Sequence, residues 1–161
     1  MSTFLPGPTT KTNLDARLAA GLAAPDASKT RVRHAGRRVL IVEDEAMIAG
    51  LIEAILSKGG WSVVGPVATL ERALETIERE RLDAALLDVR VNGHDAYAVA
   101  HVLMRRRIPF IFVSGFARKE MPPAYRHCAY MAKPFTPSAI LALLEEVVRR
   151  ARPQPPTGNR A

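Results

Sequence analysis

Four stretches of the chain place an ionic or nucleophilic side chain directly after a short apolar run. They are Glu43-Asp44-Glu45 after Val39–Val42, Asp88 after Ala84–Leu87, Ser114 after Pro109–Val113, and Lys133 after Cys128–Ala132. Carboxylates packed at the end of a buried strand repel one another and resist leaving water. Glu43, Asp44 and Asp88 would be hard to hold together without a cation. A set of oxygen ligands, few in number and with room for water and a phosphate, suits Mg²⁺. A metal ion and the Lys133 ammonium would together offset the repulsion, and holding that metal is what the cluster is for.

The elements that must position these groups follow from the pattern between them. Val39–Val42 is continuously apolar, as in a strand covered on both faces. Ala46–Lys58 carries Ile48, Leu51, Ile52 and Ile55 at helical spacing and stops at Gly59-Gly60. Trp61–Val67 is β-branched and strand-like. Thr69 caps a helix with Leu70, Ala73, Leu74 and Ile77 on one face. Ala84–Leu87 is a strand, Ala96–Arg106 a shorter helix, Pro109–Val113 a strand and Cys128–Ala132 a short one. Thr136-Pro137 is a cap with proline at the first helical position, opening a helix to about Arg150. The alternation predicts the α/β class: a doubly wound five-stranded parallel sheet with helices on both faces. Active residues in such a sheet gather outside the carboxyl ends of the strands, which is where all four stretches fall.

In that order and at those strand ends, the four stretches resemble the receiver domain of two-component response regulators. "IVEDE" is similar to its acidic pair, "LLDV" to its phosphoacceptor strand, "FVSG" to its hydroxyl strand and "MAKPF" to its lysine-proline signature. The resemblance covers about residues 37–150 and implies the flavodoxin-like receiver fold. "PFIFVSGFARKEMPPAYRHCAYMAKPF" further resembles the subgroup named for its "FAT GUY" pattern, in which the segment after the fourth strand is shortened. Ser114 stands where that pattern has Thr, and Val113 and Phe116 also depart from it. Gly115 and Pro122-Pro123 leave little room for a full helix before the last strand, so the fourth helix is expected to be short or disordered. The stretch from Gly115 to His127 is then the expected mobile surface, with Phe116, Met121 and Tyr125 as the residues to dock it.

The resemblance implies roles. Asp88 is the nucleophile that takes phosphate from a histidine kinase or phosphotransferase protein. Asp44 is a direct Mg²⁺ ligand beside Asp88, Glu43 acts through water, and the backbone carbonyl of Arg90 completes the metal set. Lys133 pairs with Asp88 and then with a phosphate oxygen, and Ser114 donates to another. Ser114, Phe116 and Tyr130 form the switch. Glu45 reads better as a first-turn acid favoured by the helix dipole than as a ligand. The Arg90 side chain either covers the phosphate or points to solvent. His94, His101 and His127 show no metal-ligand spacing.

Composition narrows the class. Of 161 residues, 48% are apolar and 24% charged, as for an ordinary globular protein. One cysteine, Cys128, forms no internal disulfide and fits a reducing, cytoplasmic setting. No apolar run approaches a membrane span. The net charge of +7 sits in the flanks: residues 1–38 hold seven Lys/Arg against two acids, and residues 149–161 hold four Arg and no acid. The expected organisation is a disordered basic tail at 1–36, a receiver domain at 37–150 and a flexible tail at 151–161. Asn13 is a candidate cap for a short helix with Leu14, Leu18 and Leu22 along one stripe, weakened by Gly21.

The leading expectation is a single-domain response regulator, not an enzyme beyond its own phosphotransfer and autodephosphorylation. It would signal by phosphorylation-dependent binding of a downstream protein, or act as a phosphate sink. A homodimer linked to phosphorylation is compatible with the sequence and not specified by it. The alternative is a regulator whose basic tails bind nucleic acid, which the tails' lack of a recognition helix or aromatic platform opposes. An aspartate-nucleophile phosphatase would want a second Asp two residues past Asp88, where Arg90 stands.

Overall fold

The computed structural model describes residues 36–151, so the two expected tails lie almost wholly outside the described residues. Strands β1 (Arg38–Val42), β2 (Ser62–Val67), β3 (Ala84–Leu87), β6 (Phe110–Ser114) and β7 (Ala129–Ala132) form one sheet in the order β2-β1-β3-β6-β7. Every pairing in it is parallel. Helices α1 (Ala46–Lys58) and α4 (Pro137–Ala151) cover one face; α2 (Leu70–Arg79) and α3 (Tyr97–Arg105) cover the other. This is the predicted doubly wound sheet. Strand order reverses between β1 and β3, and the crevice for chemistry opens at their carboxyl ends.

The side-chain period of two divides the central strands between two cores. Leu40, Val42, Ala85, Leu87 and Phe112 pack with Ala73 and Ile77 of α2 and with Val99 and Leu103 of α3. Val39, Ile41, Leu86, Ile111 and Val113 pack with Ile52 and Leu56 of α1 and with Ile140 and Leu144 of α4. Both faces of β3 and β6 are buried, which is why these strands read as continuous apolar runs.

The helix ends follow the capping residues. The Thr69 hydroxyl accepts the Arg72 N–H at 3.2 Å, and the Thr136 hydroxyl accepts the Ala139 N–H at 3.2 Å. The Gly59 N–H closes α1 onto the Ile55 carbonyl at 3.0 Å.

Three features differ from expectation. Trp61 lies just before β2 and is 4% exposed, a core residue. Leu51, expected in the buried stripe of α1, is 54% exposed; the buried stripe is Ala49, Ile52, Ile55 and Leu56. A small antiparallel hairpin, β4 (Arg90–Val91) with β5 (His94–Asp95), follows β3 and was not anticipated. Its signal was the Asn92-Gly93 pair, whose φ values of 51° and 79° are what a two-residue hairpin turn demands.

Between β6 and β7 no α-helix forms. Two 3-10 turns, Arg118–Glu120 and Pro123–Tyr125, carry the crossover. The helix expected in this crossover is thus reduced to two 3-10 turns, in keeping with the glycine and paired prolines.

Candidate functional site

Asp88 stands one residue past β3, and its N–H donates to the Val42 carbonyl at 3.0 Å, fixing it beside β1. Glu43 stands one residue past β1, its N–H bonded to the Val67 carbonyl at 3.0 Å. Lys133 follows β7 and donates its N–H to the Ser114 carbonyl at 2.9 Å, tying the last two strands at their ends. These backbone bonds aim three ionic side chains into one crevice. Lys133 Nζ donates to Glu43 Oε2 and to Asp88 Oδ2, each at 2.7 Å. All three are well covered: the side chains of Glu43, Asp88 and Lys133 are 2%, 9% and 15% exposed.

Burial sets the protonation energetics. Desolvation pushes the Glu43 carboxyl above the usual carboxylate range; the hydrogen bond and charge of Lys133 pull it back only in part, and the Asp88 charge adds to the rise. Desolvation also pulls the Lys133 ammonium down, but the hydrogen bonds and charges of Asp88 and Glu43 outweigh it, so Lys133 ends above the ordinary lysine value. One cation shared by two carboxylates is an undercharged site, and it favours a further cation.

The carboxylates that gather are not the expected trio. Glu43, Glu45 and Asp88 offer oxygens that all lie within 4.8 Å of one another. Glu45 is not a first-turn acid: it occupies the cap position before α1, and its N–H returns to Glu43 Oε1 at 3.2 Å. Asp44 stands beside the cluster, half-buried, and its carboxylate accepts the Asn92 N–H at 2.9 Å. Asn92 also donates from its side chain to the Ala68 carbonyl at 2.5 Å. Sequence reasoning missed Asn92 as the residue that fastens the hairpin across the acidic edge.

The remaining site residues surround Asp88. The Arg90 N–H donates to Asp88 Oδ1 at 3.2 Å. The Arg90 guanidinium points along the hairpin, donating to the Gly93 carbonyl at 3.0 Å and lying 5.6 Å from the centre of the Phe116 ring. Ser114 is fully buried, and its hydroxyl accepts the Phe116 N–H at 3.2 Å. Tyr130 reaches back with its hydroxyl to the Phe116 carbonyl while the Arg118 guanidinium lies 5.3 Å over its ring. Ser114, Phe116 and Tyr130 are therefore one linked unit. Cys128 is half-buried, and burial pushes its thiol up.

Comparison with known proteins agrees with this geometry. A family model described as the response regulator receiver domain matches residues 39–145. Among curated proteins, the chain is 31% identical over 120 residues to the transcriptional regulatory protein PdtaR of Mycobacterium tuberculosis, covering 72% of this chain and 58% of that one. It is also 31% identical to the uncharacterized transcriptional regulatory protein YbdJ of Bacillus subtilis, covering 70% and 51%. The chain thus spans little more than half the length of these relatives. Among solved structures, SdrG from Sphingomonas melonis is 34% identical with a TM-score of 0.63, covering 70% of this chain and 96% of that one. The receiver domain of the sensor histidine kinase PA1611 from Pseudomonas aeruginosa is 29% identical with a TM-score of 0.60, covering 71% and 99%; that structure holds a coordinated magnesium ion in its active-site cleft.

Proposed function

The chain belongs to the response regulator receiver domain family, and on that premise we propose that it accepts a phosphoryl group on Asp88, from a histidine kinase or phosphotransferase protein, in a Mg²⁺-dependent reaction. The observation that carries the proposal is the Lys133 bridge: one ammonium 2.7 Å from both Glu43 and Asp88 in a crevice at the switch of strand order.

The donor set fits Mg²⁺. It is all oxygen, with Glu43, Glu45 and Asp88 clustered within 4.8 Å, and is left with more negative than positive charge by the single lysine. Glu43 and Asp88 would hold the ion with Asp44 and the backbone carbonyl of Arg90, and Glu45 is close enough to join them. When bound, the ion supplies charge neutralisation for the transferring phosphoryl oxygens. The chain's own residues do the rest. An Asp88 oxygen forms the new O–P bond as the donor's N–P bond breaks, and that electron pair stays on the donor nitrogen. Lys133, already on Asp88, moves its hydrogen bond to a phosphoryl oxygen. Transfer of this kind needs positioning and electrostatics more than covalent work.

Ser114 supplies the link to signalling. Its hydroxyl rests as an acceptor from Phe116; to donate to a phosphoryl oxygen it must turn, which loosens the start of the Gly115–His127 stretch. Tyr130, bonded to the Phe116 carbonyl, follows. A partner that binds the rearranged stretch reads phosphorylation. Support for the FAT GUY-like subgroup comes from the crossover, where 3-10 turns stand in place of an α-helix. Phosphorylation-dependent binding of a downstream protein in the cytoplasm is the preferred use, ahead of a phosphate sink. The alternative of nucleic-acid binding by the basic tails falls on residues that lie outside the described ones.

Intact-mass measurement after incubation with acetyl phosphate and Mg²⁺ tests the assignment. The wild type gains one base-labile phosphoryl group and Asp88→Asn gains none. Gain by Asp88→Asn at the wild-type rate would overturn it.

A further inference from the structure

The hairpin of β4 and β5 reaches across the sheet edge that carries the acidic residues. Its base is fixed: the Ala96 N–H donates to the Val89 carbonyl at 2.9 Å, and Val91 is buried in the core. Arg90 stiffens it from within, donating from Nη2 to the Gly93 carbonyl at 3.0 Å and facing the Asp95 carboxylate at 3.7 Å. Its tip is fastened on the far side, where Asn92 Nδ2 donates to the Ala68 carbonyl at 2.5 Å. Ala68 follows β2, and the sheet order is β2-β1-β3. The hairpin that starts from β3 is therefore moored beyond β1, and it spans the turn that holds Glu43, Asp44 and Glu45.

Two backbone amides of this hairpin hold carboxylates from different strands. The Arg90 N–H donates to Asp88 Oδ1 at 3.2 Å, and the Asn92 N–H donates to Asp44 Oδ2 at 2.9 Å. A two-residue turn closes through the residues that flank it, here Val91 and His94, and leaves the N–H of its first turn residue out of the ladder. Asn92 is that residue, and at a φ of 51° asparagine is tolerated better than most side chains. Its N–H is thus free to be aimed, and the tie to Ala68 aims it. Asp44 needs such a hold. It shares a turn with Glu43 and Glu45, whose oxygens cluster with Asp88, and repulsion from them drives a fourth carboxylate toward water. The bond from Asn92 engages Oδ2 and leaves Oδ1 open.

We propose that Asn92 is a positioning residue for the metal site: by holding Asp44 at the acidic edge through one carboxylate oxygen, it keeps the other for Mg²⁺ and raises the site's affinity for the ion. The inference rests on the reading of Asp44 as a metal ligand. A ligating carboxylate that is already hydrogen-bonded has less freedom to lose when it takes a cation, and removing such a partner weakens metal binding. Asn92 acts only through Asp44 and the hairpin, at the tip of an element whose first residue, Arg90, is bonded to the phosphoacceptor.

The test is a Mg²⁺ titration of the full chain, followed through the amide shift of Val89, in the wild type, Asn92→Gly, Asp44→Ala and the double variant. Glycine keeps the left-handed turn and removes the tie to Ala68. Asn92→Gly should weaken Mg²⁺ binding about tenfold, the lower end of what losing such a partner costs, since Asn92 is exposed and the variant keeps its N–H. Asp44→Ala should weaken binding more, and adding Asn92→Gly to it should change nothing further. A loss of the same size in the Asp44→Ala background would mean that Asn92 serves the hairpin rather than Asp44, and would overturn the proposal. Unchanged affinity in Asn92→Gly beside a weakened Asp44→Ala would overturn it while the metal reading stands; unchanged affinity in Asp44→Ala would overturn both. Hydrogen exchange of the Asn92 amide gives the direction of the effect. Mg²⁺ should slow it in the wild type and leave it unchanged in Asp44→Ala. Faster exchange with Mg²⁺ in the wild type would show that Asn92 holds Asp44 away from the ion, the reverse of the proposal.

Discussion

At the strand ends, Glu43, Asp88 and Lys133 are buried and hold one another by charge. In the stretch from Gly115 to His127 nearly every side chain is exposed, and the hold is spread over many hydrogen bonds between side chains and the backbone. Arg126 donates from Nε to the Met121 carbonyl at 2.8 Å and from Nη2 to the Lys119 carbonyl at 2.9 Å. Arg118 donates to the Arg126 carbonyl at 3.1 Å, and Glu120 accepts the Ala117 N–H at 2.7 Å. Two residues anchor this lacework to the core: Met121, 1% exposed, and Tyr125, stacked on Tyr97 with ring centroids 4.7 Å apart. In the first region a single lysine compensates two buried charges, so its loss strands both. In the second no single bond is decisive, so the stretch can rearrange piecewise at low cost. A phosphoacceptor needs the first arrangement, and a surface that must change on phosphorylation needs the second.

Lys133→Met is the sharpest way to break this contrast. It leaves Glu43 and Asp88 buried without their cation, and the expected loss is about 3 kcal/mol of unfolding free energy by urea titration. The loss should depend on pH with a defined sign. The Glu43 carboxyl already lies above its ordinary value through desolvation, and without Lys133 it rises further. A carboxyl raised in the fold stabilises the protein while protonated, and that contribution is lost as pH rises through its folded value. The deficit of Lys133→Met against wild type should therefore be larger at pH 7.5 than at pH 5. An equal deficit at both would mean that Glu43 is not strained by burial. Mg²⁺ should restore part of the stability of the variant if the carboxylates can take the ion in place of the ammonium.

Tyr125→Ala is expected to cost less, about 1–2 kcal/mol, because it removes a partly buried ring that stacks on Tyr97 and meets Phe112 edge-on. Its readout is local. Hydrogen exchange of residues 115–127 should accelerate while β1, β3 and β6 keep their protection. A loss of protection throughout the sheet would show that the stretch is part of the cooperative core.

The fold was largely legible because its signals are local. Buried parallel strands announce themselves as apolar runs, Thr69 and Thr136 as caps, Gly59 as a stop. The meeting of Glu43, Asp88 and Lys133 was legible through position, since strand ends are where this architecture gathers polar side chains. What was not legible depended on directions that a residue list does not contain. Glu43, Asp44 and Glu45 are consecutive, and only the turn from β1 into α1 decides that Glu45 joins Asp88 while Asp44 turns to Asn92. The exposure of Leu51 was hidden because Leu51 and Ile52 fit a helical stripe equally well, and only the packing of α1 on the sheet selects between them. The arginine ties of Arg118 and Arg126 leave no sequence signal, since a loop arginine reads as solvated.

Arg126→Gln carries the smallest expected effect and tests the distributed half of the contrast. It removes two donor contacts, a part-buried one to the Met121 carbonyl and an exposed one to the Lys119 carbonyl where water can replace it. A hydrogen bond of this kind contributes roughly 0.5–1.5 kcal/mol net, and less where water competes. Global stability should therefore fall by no more than about 1 kcal/mol. The population of the rearranged stretch should rise all the same, because the same small energy is a large share of what holds that stretch in place. Exchange at residues 118–127 should speed up without phosphate, and a beryllofluoride phosphate mimic should then change it less than in the wild type. If Arg126→Gln instead destabilises the protein as much as Lys133→Met, the stretch is pinned by a single interaction, and the difference between the two regions disappears.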